Sequence, residues 1–283
     1  MIELQDLLSG AHWRKFRVPK RSGGVRVISA PSPTLKGVQR QIITEVEFPV
    51  HSAAHGFVEG RSIVTNAAVH VGKEVVVNFD LHDFFPSITS ERVEGLFRQI
   101  GYSEKVAAVL AQLTTKDGCL PQGSPCSPAI TNAICFSLDN RLDELARKLC
   151  LTYTRYADDL TFSGSLSSTK GLPDAVKEIV EAEGFTLHPD KTKVQYKNDC
   201  QLVTGIVVNT KLGVQRQLLL RWRAVVHQIE RDGPEGKHFG PSDDVFSSLL
   251  GFAAFVKMVD PPRGRVMLTK AKALATRYNR SAS

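Results

Sequence analysis

The chain has 283 residues, 42% hydrophobic and 23% charged, so it carries enough apolar material for one multi-lobed unit or two small domains. No apolar run reaches bilayer length, and the N-terminus lacks the basic-then-apolar order of a secretory signal. The five cysteines, an odd number with no CxxC pair, argue against a zinc knuckle or disulfide framework and fit a reducing cytoplasm. The formal charge of +7 is unevenly spread: residues 1–200 hold 23 basic and 23 acidic residues, and residues 201–283 hold 13 against 6. A basic C-terminal quarter on a neutral body suits contact with a phosphate backbone.

In chain order, residues 17–28 read as a β-hairpin around Ser22-Gly23-Gly24. A helix is predicted over Leu35–Phe48. The β-branched run Glu74-Val75-Val76-Val77-Asn78-Phe79-Asp80 predicts a buried strand that delivers a carboxylate at its C-terminal end. Ser90 is read as the N-cap of a helix over Ser90–Ile100. Ser127-Pro128 opens a longer one, with Ile130, Ile134, Leu138, Leu142, Leu145 and Leu149 at helical spacing.

Leu151–Tyr156 and Leu160–Ser163 are strand-like runs joined through Ala157-Asp158-Asp159. A helix over Asp174–Glu183 and a strand over Leu202–Val208, broken by Gly205, follow. Helical pattern then runs over Val214–Arg231, Val245–Val259 and Arg265–Tyr278, separated by Gly233-Pro234 and Pro261-Pro262. The order predicts an α+β core with a helical, basic appendage.

The acids carry the chemistry. Nucleotidyl transfer to a sugar hydroxyl uses two divalent ions roughly 3.5–4 Å apart, bridged by carboxylates. Magnesium takes oxygen ligands in octahedral geometry. A strand-end Asp80 and a hairpin-turn Asp158 have the character of such bridges. Neighbours on a regular strand face opposite ways, so Asp159 is expected to be the peripheral partner. An isolated Asp-Asp is ordinarily only a turn; the apolar flanks and the second acid upstream distinguish this one.

Tyr156-Ala157-Asp158-Asp159 resembles the polymerase C box of reverse transcriptases. Phe79-Asp80-Leu81-His82-Asp83-Phe84-Phe85-Pro86-Ser87-Ile88 resembles the A box, and Leu120-Pro121-Gln122-Gly123-Ser124-Pro125 followed by Ser127-Pro128 the B box. Gly184 to Thr192 resembles the D region. His55-Gly56-Phe57 and Gly60-Arg61-Ser62 fit the second block. Asn66-Ala67-Ala68-Val69-His70 and Val203-Thr204-Gly205 resemble two signatures of bacterial retron reverse transcriptases. The resemblance covers about Phe16 to Asn209. Cys126 departs from it, standing where the family usually has a small hydroxyl residue.

This resemblance implies a right-hand polymerase fold: fingers and palm over 1–208, with an antiparallel sheet packed on helices, and a small helical thumb over 209–283. Palm motifs would fall at about 74–90, 119–140, 151–163 and 184–208. It implies two Mg²⁺ ions, with Mn²⁺ as a substitute, on Asp80, Leu81 (through its carbonyl), Asp158 and Asp159. Lys191 would assist the leaving pyrophosphate, with Lys193 a rival. The dNTP would meet Lys20, Arg26, Asp83, Phe84, Phe85 and Gln122, with Phe85 as the ring that rejects a 2′-hydroxyl. Nucleic acid would meet Asn66, His70, Val203, Thr204, Gly205, Arg216, Arg221 and Arg223. Tyr153 and Trp222 read as core rings ahead of base-stacking ones.

Function follows the same resemblance. A retron enzyme copies part of a structured non-coding RNA into DNA from a guanosine 2′-hydroxyl, giving a branched hybrid. It acts in bacterial antiphage defence with an effector protein, in the cytoplasm and away from the membrane. The expected chain has no room for an RNase H domain, so host RNase H would trim the template. The alternatives are a group II intron or diversity-generating reverse transcriptase, and a nucleic-acid-bound scaffold that restrains a toxic effector.

Overall fold

A short helix α1 (Leu4–Leu8) precedes the hairpin β1 (Trp13–Pro19) and β2 (Val25–Pro31), and α2 (Pro33–Glu45) follows in this computed structural model. The structure describes residues 4–9, 12–19, 24–240 and 242–278. The hairpin is antiparallel, with Phe16 opposite Ile28 and Val18 opposite Arg26. Residues 20–23 of its turn, Lys20 among them, lie outside the described residues. Helix α2 starts where a proline suits the first turn: the Ser32 hydroxyl accepts from the Leu35 amide.

Next come α3 (Ile63–Ala68), β3 (Val75–Asp80), α4 (Ser90–Ile100) and α5 (Glu104–Thr114). The cap of α4 is Thr89, whose hydroxyl accepts from Arg92, so Ser90 is the first helical residue and not the cap expected. The long helix expected after Ser127 is two: α6 (Ser127–Ile134) and α7 (Phe136–Lys148), meeting at Cys135. Ser127 is no cap either; its hydroxyl donates to the Pro121 carbonyl at 2.7 Å and pins the preceding loop.

The remaining elements are β4 (Thr152–Tyr156), β5 (Asp159–Gly164), α8 (Leu172–Ala182), β6 (Lys193–Tyr196), β7 (Leu202–Val203), β8 (Ile206–Val207), α9 (Arg216–Asp232), α10 (Val245–Val259) and α11 (Pro261–Arg277). Pro261-Pro262 open α11 rather than separating helices, since the first helical turn needs no amide donors. Asp260 caps it by accepting from Arg263.

The central sheet has strand order β4-β5-β3-β6. Strand β3 is internal, and its Val75, Val76, Val77 and Phe79 are buried. Side chains on both its faces are covered, which explains why the run reads as continuous rather than alternating hydrophobicity. Edge strand β6 is largely exposed.

The chain forms two compact units. One comprises residues 1–62 and 76–194, and its core is built around β3, β4, β5 and helices α4 to α8. The other comprises residues 63–75 and 195–283. Its helices α9, α10 and α11 bury Trp222, Val226, Leu249, Ala253 and Ala271 against one another. Trp222 donates its indole N–H to the Leu249 carbonyl at 3.1 Å, so it is a core ring, as is Tyr153 in the first unit. Gly264 lets α11 close on α10: a Cβ there would sit 2.2 Å from Lys257 backbone atoms. All five cysteines are free thiols. Among the described residues no helix is long and apolar enough to cross a membrane.

Candidate active site

Strand pairing builds the centre of the first unit. Strands β4 and β5 are antiparallel with Tyr156 opposite Asp159, which leaves Ala157-Asp158 as a two-residue turn. Ala157 takes the left-handed backbone, φ +56°, in a position that favours glycine. The Leu81 amide, just past the end of β3, donates to the Asp158 carbonyl at 2.9 Å. This bond brings the strand-end Asp80 beside the turn.

Three carboxylates therefore share one electrostatic environment. The Asp158 carboxyl is raised from its ordinary range, first by burial and then by the charge of Asp80, against the pull of Lys191 and Arg26. Asp159 is pushed up to about 7, first by loss of water on its inner side and then by Asp158 and Asp80. Asp159 keeps an exposed surface, so solvent screens part of that repulsion. Lys191 donates to Asp80 Oδ1 at 2.8 Å across 111 residues of sequence. Lys193 also lowers Asp159, but only Lys191 makes the hydrogen bond.

No group of three or more His, Cys, Asp or Glu side chains among the described residues forms a ready-made metal cage. The donor set nonetheless fits a hard divalent cation. It consists of carboxylate oxygens whose mutual repulsion a cation would relieve, and an ammonium already supplies positive charge at Asp80. The Asp80 carbonyl accepts from the His188 amide at 2.7 Å, so one of its lone pairs is already engaged.

A cavity of about 270 Å³ in the same unit is lined by Arg26, Asp83 and Gln122, three of the residues expected to meet a nucleotide. Lys15 and Lys116 line it too, and the sequence reading missed both. They are an exposed hairpin cation and a half-buried loop cation whose signal is spatial: both pair with Asp117. The Ser29 amide on β2 donates to the Gln122 carbonyl at 2.8 Å. Gly123 must be glycine, since its φ is +118° and a Cβ would lie 2.8 Å from Ile28 Cγ2.

Phe84 is buried and packs on Phe85, whose ring also meets Phe57. Asp83 is exposed with φ +44° in the turn after β3. Cys126 replaces the expected hydroxyl in kind, donating its thiol to the Gln39 carbonyl. Burial pushes that thiol up to about 12, so it stays protonated.

In the second unit, the two signature segments meet each other. Helix α3 packs on β7 and β8, and the Thr204 hydroxyl donates to the Ile63 carbonyl at 3.1 Å. Gln201 donates to the carbonyls of Lys73, Glu74 and Gln195, tying residues 63–75 to 195–209. Asn66, His70 and Val203 are fully buried. All three were expected to meet nucleic acid; here their side chains have no exposed surface, and the Asn66 amide is buried without a hydrogen-bond partner among the described residues on either its nitrogen or its oxygen. The periodicity of a short helix could not reveal this, because its partner is a hairpin about 135 residues downstream.

Thr204 and Gly205 form the turn between β7 and β8 and are the surface members of their signature. Arg216, Arg221 and Arg223 are all exposed on α9. Arg216 and Arg223, seven residues apart, share a face, whereas Arg221 leans over the Phe239 ring at 5.8 Å. Arg223 also borders a groove of about 480 Å³ with Arg263 and Lys270 from α11.

Residues 18–216 match the family model described as reverse transcriptase (RNA-dependent DNA polymerase). The chain is 42% identical to the retron Mx162 reverse transcriptase of Myxococcus xanthus, over 94% of this chain and 61% of that protein. It is 33% identical to the retron Ec86 reverse transcriptase of Escherichia coli, over 91% of this chain and 79% of that one. A solved telomerase from Candida tropicalis, bound to a TWJ fragment of telomeric RNA, shares the fold at a TM-score of 0.50 and 12% identity, covering 94% of this chain and 54% of that one. The fold is thus the right-hand polymerase fold, with mixed helix and antiparallel sheet. The chain belongs to the reverse transcriptase family and, within it, to the retron reverse transcriptases. It spans 61% and 65% of the length of the two Myxococcus relatives it matches.

Proposed function

We propose that this chain is an RNA-directed DNA polymerase that copies a structured retron RNA into a branched DNA–RNA hybrid. The observation that carries it is the meeting of Asp80, Asp158 and Asp159 at one turn, with Lys191 bound to Asp80. Residues 1–208 act as fingers and palm and 209–283 as thumb; the compact units divide instead at 194, with 63–75 joining the second.

Asp80, Asp158 and Asp159 would hold two Mg²⁺ ions, with Mn²⁺ able to replace them and the Leu81 carbonyl as a further donor. Bound there, the ions would activate the attacking hydroxyl and neutralise the triphosphate. The chain's own residues do the rest. Arg26, Asp83 and Gln122 line the nucleotide cavity, and Phe84 backs Phe85, whose ring excludes a ribose 2′-hydroxyl. Lys191, once Asp80 is neutralised from elsewhere, is free to give a proton to the leaving pyrophosphate. Gly205, Arg216, Arg221 and Arg223, all exposed, and the half-buried Thr204 would contact nucleic acid.

The remaining steps belong to the same reading: priming from a guanosine 2′-hydroxyl, trimming by host RNase H, cytoplasmic location, and antiphage defence with an effector protein. Nucleic acid co-purified from the expressing bacterium and treated with RNase tests it. A short DNA retaining a covalently attached RNA is expected; linear DNA without a branch would favour an intron-type or diversity-generating enzyme.

A further inference from the structure

Behind the catalytic turn lies a charged group that the chemistry above does not use. Arg155, on β4, is fully buried opposite an equally buried Asp139 on α7. Its Nε donates to Asp139 Oδ1 at 2.8 Å and its Nη2 to Oδ2 at 2.6 Å, a two-pronged pair. Tyr153 adds a third bond to Asp139, from its hydroxyl at 2.8 Å. The remaining guanidinium nitrogen, Nη1, donates to Asn132 at 3.1 Å and to the Ala157 carbonyl at 3.2 Å. That last acceptor is the peptide oxygen immediately before Asp158.

We infer that Arg155, held by Asp139 and Asn132, is a positioning residue that fixes the Ala157-Asp158 turn so that the Asp158 carboxylate stays aimed at the divalent-cation site. The inference rests on the polymerase reading. Three features support a role beyond packing. A buried ion pair often stabilises a core no better than apolar residues of the same shape, so stability alone is a weak account of its presence. Ala157 holds a left-handed φ that an alanine resists, so its surroundings must impose it. Finally, the turn is held from several directions at once. Leu81 binds the Asp158 carbonyl, and Arg155 binds the Ala157 carbonyl. Asn132 donates to the Gly56 carbonyl at 3.0 Å, and Gly56 lies so close that a Cβ would fall 2.4 Å from the Ala157 nitrogen. Such outer supports of a metal site typically matter about 10–100-fold in affinity or rate.

The test compares wild type with Arg155→Lys, which keeps the charge facing Asp139 but cannot also reach Asn132 and Ala157. Asn132→Ala and Gly56→Ala disturb the same turn without touching the ion pair, and serve if Arg155→Lys does not fold. Fold is checked by circular dichroism, primer–template affinity by filter binding, and Mn²⁺ binding to the protein alone by electron paramagnetic resonance. In folded variants, kcat is expected to fall about 10–100-fold and Mn²⁺ affinity at least about tenfold, while dNTP KM and primer–template affinity stay within about twofold. Folded variants with wild-type kcat and wild-type Mn²⁺ affinity overturn the inference. If wild type makes no DNA yet binds Mn²⁺, and the variants bind it more weakly, the polymerase reading fails and the positioning role stands. If wild type neither makes DNA nor binds Mn²⁺, both fail.

Discussion

Two hairpin turns of equal length carry different burdens in this molecule. Between β4 and β5 the turn is Ala157-Asp158; between β7 and β8 it is Thr204-Gly205. In the second, both residues take positive φ, +47° and +81°, the pattern of the tight turn that best matches strand twist. A glycine occupies the more positive of the two, and one hydroxyl bond to Ile63 supplements it. In the first, an alanine sits at φ +56° followed by a carboxylate crowded by two others. A turn that presents only backbone and a hydroxyl can use residues that suit it; a turn that must present charge is held by its surroundings.

The largest expected effect breaks the first turn's chemistry and leaves its shape. Asp158→Asn should reduce DNA synthesis by at least about a thousandfold, because a neutral amide cannot hold a divalent cation against the transition-state charge. Primer–template affinity should stay near wild type, measured by filter binding on the same preparation. Residual synthesis within tenfold of wild type would remove Asp158 from the metal assignment and leave the two turns alike.

The contrast extends to the helix that follows the second turn. Arg216→Ala with Arg223→Ala removes two exposed cations from one face of α9. Affinity for RNA should fall roughly tenfold at moderate salt, and the slope of log affinity against log salt should shrink by about one per arginine. Arg221→Ala should do less, since that side chain leans on Phe239. An unchanged salt slope would place the phosphate contact elsewhere in the basic C-terminal region.

How much of this was legible in the sequence depended on the range of the interaction. Strand β3, the turn at Asp158 and the helices α9 and α10 follow from local pattern: a β-branched run, a tight turn between apolar flanks, helical spacing. The break at Cys135 was not legible, because Ile134 and Leu138 keep a continuous helical register across it. Lys191 on Asp80 spans 111 residues, and Arg155 on Asp139 joins β4 to α7; no local rule announces either. Arg155 was read only as a strand residue before the acidic pair, since burial of an arginine is rare without a paired acid that only the fold supplies. Asn66 and His70 show the converse. A signature that resembles a family's is easy to see, but whether it faces nucleic acid or the interior depends on the hairpin packed over it.

A smaller effect separates the two turns by stability alone. Gly205→Ala places a side chain in open space but at φ +81°, so the cost is the backbone's, about 1 kcal/mol. The thermal midpoint should drop by about 2–4 °C while DNA synthesis stays within about twofold. Synthesis is spared because the contact proposed for Gly205 is through its backbone, which alanine keeps; a large loss with the fold intact would mean that nucleic acid packs where the new methyl stands.

The smallest effect has the opposite sign and belongs to the first turn. Asp159 is pushed up to about 7 in the folded chain, against an ordinary 3.8. A raised carboxyl binds its proton more tightly folded than unfolded, so stability falls as pH rises from about 4 to about 7, and the cost is complete above that. Asp159→Asn removes this cost. In chelator at pH 8 the variant should melt about 1–3 °C higher than wild type, a modest gain because solvent screens an exposed carboxyl. The advantage should shrink steadily as the pH is lowered from 7 towards 4, followed by calorimetry across the series. Adding Mn²⁺ should reverse it, since the cation binds the charged site of wild type and stabilises that fold alone. If the variant melts no higher in chelator at pH 8, burial and the neighbouring acids do not burden the Asp159 charge as its placement requires. The turn at Asp158 would then need no more bracing than the turn at Gly205.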